Sequence, residues 1–94
     1  MTKTIRFKST PEHFRKEYLG LKLNTVRKSD SDLRFNVLDE FIANKLDLLI
    51  IEIENTETGE FFFRKVTNVT KFSTTNFEDY YIISWGYVWW QLNP

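Results

Sequence analysis

Residues 46–72, LDLLIIEIENTETGEFFFRKVTNVTKF, restrict the fold more than any other stretch of the chain. LDLLIIEIEN begins as a continuous apolar run and ends in alternation, with Ile51 and Ile53 opposed to Glu52 and Glu54. Period two marks a strand, and the continuous part implies cover on both faces. NTETG supplies turn chemistry closed by Gly59, since polar residues and glycine favour tight reversals. EFFFRKVTNVTKF then returns as a long second arm. A sheet built around this hairpin is the expected frame.

The remaining elements add to it. TIRFK alternates, with Ile5 and Phe7 on one face and Arg6 and Lys8 on the other, and predicts a half-buried first strand. STPEHFRKEYLG predicts a helix: Ser9 or Thr10 as cap, Pro11 at the first helical position, Glu12 complementing the dipole, and Gly20 as the stop. Phe14, Tyr18 and Leu19 form its apolar stripe. LKLNTVRK predicts a second strand and KSDSD a polar loop. NVLDEFIANK predicts a short helix capped by Asn36, with Asp39 at the third helical position and Val37, Leu38, Phe41 and Ile42 facing inward. STTNFED is loop, YYIISW the last strand, and Gly86–Pro94 a tail holding Trp89 and Trp90. The order β-α-β-α-β-β-β, with mostly short strands, predicts an α+β domain whose mixed sheet curls into a small barrel capped by helices.

Composition narrows the functional classes. The 94 residues suffice for one domain, taken as 1–94, burying about 60–65% of its unfolded surface. Aromatic residues reach 17%, which suits a strand-rich core. Thirteen basic and 13 acidic residues give zero formal charge, against broad sequence-independent binding to duplex DNA. The chain has no cysteine and one histidine, His13, so no disulfide framework, thiolate site or His-rich metal site is available. No metal and no cofactor are expected. No apolar run approaches the ~20 residues of a membrane span. MTKTIRFKSTPEHF lacks a signal peptide's apolar segment. A soluble cytoplasmic protein with no membrane partner is expected.

One stretch concentrates chemistry. In YLGLKLNTVRKSD, Thr25 and Arg27 share a strand face, and Lys22 follows the glycine where the chain is still turning. A hydroxyl, an ammonium and a guanidinium fork together suit an anion or the polar edge of a base or sugar. The plain alternative is a solvated strand end with Arg27 paired to Asp30 or Asp32.

On these residues the chain resembles the ASCH domain family of the PUA-like superfamily, in particular its small phage and prophage members. The similarity runs from about Ile5 to Trp85. It is carried by a helix ending in Gly20-x-Lys22, the Thr25-x-Arg27 strand, the Asp30 loop, the NTETGEFFFRKVTNV hairpin and YYIISW. The resemblance implies a PUA-like β-barrel of five to six mixed strands with one or two capping helices and a cleft beside the first helix. It implies binding of RNA or a modified nucleoside or nucleotide in the cytoplasm of a bacterial host. One branch of the family removes the acetyl group of N4-acetylcytidine with a lysine, a threonine and a glutamate. Lys22 and Thr25 match the first two. The glutamate has no motif here, and Glu78, beside Asp79, is the nearest candidate.

The expected ligand-binding set is therefore Lys22, Thr25, Arg27 and Asp30, with Arg64 or Lys65 adding to a phosphate-binding rim at a strand edge. A catalytic set of Lys22, Thr25 and Glu78 applies only to an amidohydrolase. A third class is a phage protein docking on a host protein through YVWWQLNP. Trp85 is expected in the core, with Trp89 and Trp90 closing a barrel end. His13 is expected on the helix surface, and Glu52 and Glu54 on a solvent face. One of Tyr80 and Tyr81 must face out, where it could line the cleft.

Overall fold

The computed structural model describes residues 1–86. Seven elements follow in order: β1 (Thr2–Ser9), α1 (Pro11–Tyr18), β2 (Asn24–Lys28), α2 (Arg34–Ile42), β3 (Leu48–Asn55), β4 (Phe61–Ser73) and β5 (Asp79–Trp85). The five strands form one mixed sheet in the order β1-β3-β4-β5-β2. β1 runs parallel to β3 and every other pair is antiparallel. The sheet curls into a half-barrel, and two helices pack against it.

β4 is the spine. Its first half pairs with β3, Ile51 opposite Arg64, and its second half with β5, Val69 opposite Ile83. Between the halves a bulge at Thr67 shifts the register from Val66 to Asn68. An extra residue bends a strand and raises its twist, so this bulge helps curl the sheet. It also flips side-chain parity: Phe62, Arg64 and Val66 face inward before it, and Val69 after it.

The core follows from alternation. Ile5 and Phe7 of β1, Leu49, Ile51 and Ile53 of β3, and Tyr81, Ile83 and Trp85 of β5 are buried on the concave face. α1 contributes Phe14 and α2 contributes Phe35 and Leu38. Burying each such aliphatic or aromatic side chain stabilises the fold by roughly 1.5–3 kcal/mol. Phe35 bridges Phe7 and Tyr81 at ring separations of 5.8 and 5.4 Å, and Phe14 packs on Phe62 at 5.1 Å.

Several boundaries and faces differ from the sequence reading, each for a local reason. β2 begins at Asn24 because the Leu21 and Lys22 N–H groups bond back to Lys16 O at the end of α1. α2 begins at Arg34, ahead of Asn36, because Asp32 Oδ1 accepts the Arg34 N–H at 2.9 Å. Thr10 stands at the N-cap of α1 without a side-chain bond. Tyr18 and Leu19 are exposed, and Glu17 is buried beside Phe14. Glu52 is buried because Arg6 pairs with it directly across the β1/β3 ladder and Phe63 flanks it on β4. Arg64 does not emerge at an edge: it shares the inward parity of Phe62 and is buried. Trp85 is in the core as expected; Trp89, Trp90 and the YVWWQLNP segment lie outside the described residues.

The two edge strands, β1 and β2, leave a seam. In β1 the odd residues bond towards β3, since Thr56 N–H donates to Ser9 O and Asp47 N–H to Met1 O. The backbone groups of Thr4, Arg6 and Lys8 therefore face the open edge. Two guanidiniums occupy it: Arg34 donates to Arg6 O at 2.7 Å and Arg27 to Lys8 O at 2.8 Å. Side chains thus supply what a sixth strand would supply to those carbonyls.

Candidate functional site

At the end of α1, Gly20 adopts φ +78°, with Leu21 N–H bonded to Lys16 O at 2.9 Å and Gly20 N–H to Glu17 O at 3.3 Å. This paired pattern is the Schellman helix end, and it favours glycine because a Cβ is strained at positive φ. It places Lys22 beside the last turn of α1. Two residues on, β2 points Thr25 and Arg27 inward, while Val26 is half exposed on the other face. Ser9 ends the inward row Ile5, Phe7, Ser9 of β1. Glu17 stands one helical turn after Phe14, on the buried face of α1.

These five side chains converge. Arg27 Nε donates to Thr25 Oγ1 at 2.9 Å, and its Nη2 donates to Ser9 Oγ at 2.9 Å. Ser9 Oγ donates to Glu17 Oε1 at 2.8 Å. Lys22 Nζ stands 3.7 Å from Glu17 Oε2. All of them line one hollow of about 270 Å³, with His13 also contributing to its wall.

The electrostatics leave capacity to spare. Glu17 is completely buried, yet its Oε2 has no hydrogen-bond partner. A buried carboxylate oxygen without a donor costs free energy, of the order of 1–3 kcal/mol. Thr25 accepts from Arg27, so its own O–H proton remains free to be donated. Lys22 keeps its side chain one-third exposed. Burial lowers the Arg27 guanidinium pKa from its ordinary value, with Glu17 opposing the shift and Arg34 adding to it. The hollow thus presents an acceptor, a hydroxyl and an ammonium to a polar guest, on a wall held in place by Arg27.

Lys22, Thr25 and Arg27 are brought together; the other expected site residues are not. Asp30 accepts the Asp32 N–H at 2.7 Å, shaping the loop before α2, and does not line the hollow. Glu78 pairs with Lys28, whose side chain leaves β2 on the face opposite Thr25 and Arg27. Arg64 lies under α1, donating to Tyr18 O at 3.0 Å and Phe63 O at 2.8 Å, and stacks on the Phe62 ring. Burial pushes its pKa down to about 10. Tyr81 is buried and donates to Asp39 Oδ1 at 2.7 Å, whereas Tyr80 stacks on Phe72. Neither tyrosine lines the hollow.

Ser9 and Glu17 were not among the expected site residues, although both carry a signal. Ser9 continues the apolar row Ile5, Phe7 at period two. Glu17 is a charge three residues from Phe14, at helical spacing on the face that must be buried.

Among the described residues, no group of three His, Asp or Glu side chains is placed to hold a metal ion, and no helix is long and apolar enough to cross a membrane. No family model, curated protein or solved structure matches the chain.

Proposed function

We propose that this chain is a PUA-like module of the ASCH type, from a phage or prophage, that holds an RNA element or a nucleotide in the hollow beside α1. The observation that supports this reading is the convergence of Lys22, Thr25, Arg27, Ser9 and Glu17 on one concave surface, with a buried Glu17 oxygen that receives no hydrogen bond and has Lys22 at 3.7 Å. A nucleobase or ribose edge carries N–H or O–H donors for Glu17 Oε2 beside acceptors for Lys22 and Thr25. Lys22→Ala removes one charge-assisted contact, of about 1.5–3 kcal/mol. Calorimetric titration with ribonucleosides, their monophosphates and short RNA is expected to show affinity falling by about 10- to 100-fold in Lys22→Ala. Affinity unchanged by that substitution would count against the reading.

A second reading is favoured by one observation: the carboxylate beside Lys22 is Glu17. An amidohydrolase acting on N4-acetylcytidine-like nucleosides needs a nucleophile, a proton carrier and a carboxylate in one site. In this reading Thr25 Oγ1 attacks the acyl carbon, Lys22 and Glu17 carry its proton to the leaving amine, and water releases the acyl group. Incubation with N4-acetylcytidine is expected to yield cytidine and acetate, with Thr25→Val inactive. No product at high protein concentration would reject this chemistry and leave binding untouched.

A further inference from the structure

A second concavity lies at the seam, on the far side of Arg27 from the hollow. It encloses about 630 Å³ between the open edge of β1 and the start of α2, and Arg6, Lys8, Arg27 and Arg34 line it together with Asp32. Lys8 and Arg27 line both spaces, so the two are adjacent.

Four cations line this groove against one carboxylate, Asp32. Arg6 and Lys8 lean on Glu52 and Glu54 of the neighbouring strand. Arg27 spends its donors on the neutral oxygens of Thr25, Ser9 and Lys8. Arg34 donates to Arg6 O, but its buried Nε has no hydrogen-bond partner. Its nearest carboxylate, Asp32, stands 3.9 Å away, with Oδ1 already accepting the Arg34 backbone N–H. Both guanidiniums sit against the Phe7 ring, at 4.9 Å for Arg27 and 4.2 Å for Arg34, so the wall behind them is apolar. Clefts of one charge sign with low-dielectric walls focus field, and an arginine fork matches phosphate oxygens.

We propose that this groove is a phosphate subsite, so that the ligand of the adjacent hollow is phosphorylated, with the Arg34 guanidinium holding the phosphate oxygens and Lys8 Nζ turning to them from Glu54. The proposal rests on the reading of the hollow as a nucleoside-type site. A mononucleotide or one phosphodiester of an RNA strand would present the same chemistry.

The test combines calorimetry with nitrogen–proton NMR. Ribonucleosides, their 5′-monophosphates and a mixed-sequence pentaribonucleotide are titrated into the protein, and inorganic pyrophosphate is used as a probe of the groove alone. The expected result is that monophosphates bind about tenfold more tightly than nucleosides, that the gain shrinks as salt rises, and that pyrophosphate shifts the Arg34 Nε–H resonance. Arg34→Lys keeps the charge and Arg34→Gln removes it; both are expected to lose most of the gain with nucleoside affinity retained. The groove-only probe and the wild-type comparison keep the test valid should a variant fold poorly. Tighter binding of the pentaribonucleotide than of the monophosphates assigns the phosphate to an RNA strand; equal binding assigns it to a mononucleotide. Nucleosides and monophosphates binding equally, with Arg34 unmoved by pyrophosphate, would overturn the subsite and leave the hollow standing. Pyrophosphate shifting Arg34 with no nucleoside effect at Lys22 or Thr25 would keep the anion site and remove the hollow's reading. No response to any probe overturns both.

Discussion

On α1 a carboxylate, Glu17, occupies a fully buried position of the kind that an apolar side chain ordinarily fills, and only one of its oxygens is hydrogen-bonded. Burying an incompletely satisfied charge is unfavourable, and replacing both members of such a pair by apolar residues of similar volume is often neutral or stabilising. The double replacement Glu17→Leu with Lys22→Met is therefore expected to leave stability unchanged or raise it by about 1–2 kcal/mol in urea denaturation, while ligand binding is lost. A clear loss of stability would make Glu17 a structural residue. Arg27→Gln should behave oppositely. It strips β1 and Ser9 of their donors and is expected to cost about 1–3 kcal/mol by the same measurement. Tyr81 gives a pH signature. Burial, then its bond to Asp39, raises its pKa above the ordinary 10.0. The folded state thus favours the neutral phenol, so this contribution is complete below pH 10.0 and is lost as pH rises through the folded value. Tyr81→Phe is expected to remove that part of the alkaline loss and to lower stability at pH 7 by about 1 kcal/mol. At this scale Lys22, Thr25 and Arg27 were legible because strand parity and the glycine step already group them. Ser9 and Glu17 were hidden because their neighbours, Thr10 and Tyr18, fit the generic cap and stripe better.

Among the elements, the ends carry the information. The Gly20 turn fixes where α1 stops and where Lys22 begins, and its φ of +78° is strained for any residue with a Cβ. Gly20→Ala is expected to cost about 1–2 kcal/mol and to weaken ligand binding together with stability. Strand parity makes a second prediction. The Ile5 and Phe7 amides bond to β3, while those of Thr4, Arg6 and Lys8 face the seam. Hydrogen exchange should be slow at the first pair and fast at the other three; protection of all five would mean that a further strand closes the seam. Strand existence was readable from alternation, and the long hairpin most clearly. The starts of β2 and α2 were not, because each is set by a backbone bond: Leu21 and Lys22 to Lys16 O, and Arg34 to Asp32.

For the whole molecule, the sheet order could not be read from local patterns. Nothing in TIRFK says that it lies parallel to β3, or that β2, next to it in sequence, ends at the opposite edge. That choice comes from where α1 and α2 bury Phe14, Phe35 and Leu38 against a sheet bent at Thr67. Leu38 is fully buried, and Leu38→Ala is expected to cost about 2–5 kcal/mol. A domain of this size holds roughly 5–14 kcal/mol in total, so thermal unfolding should drop markedly. The half-barrel brings the end of β1, the end of α1 and the inner face of β2 to one point, and the account of the hollow depends on that meeting. Its most direct test is amide shift mapping of the isotope-labelled protein with a panel of ribonucleosides. The account predicts shifts confined to Ser9, Glu17, Lys22 and Thr25 with their neighbours, needing about 10- to 100-fold more nucleoside in Lys22→Ala; shifts elsewhere, or none at saturating nucleoside, would contradict it.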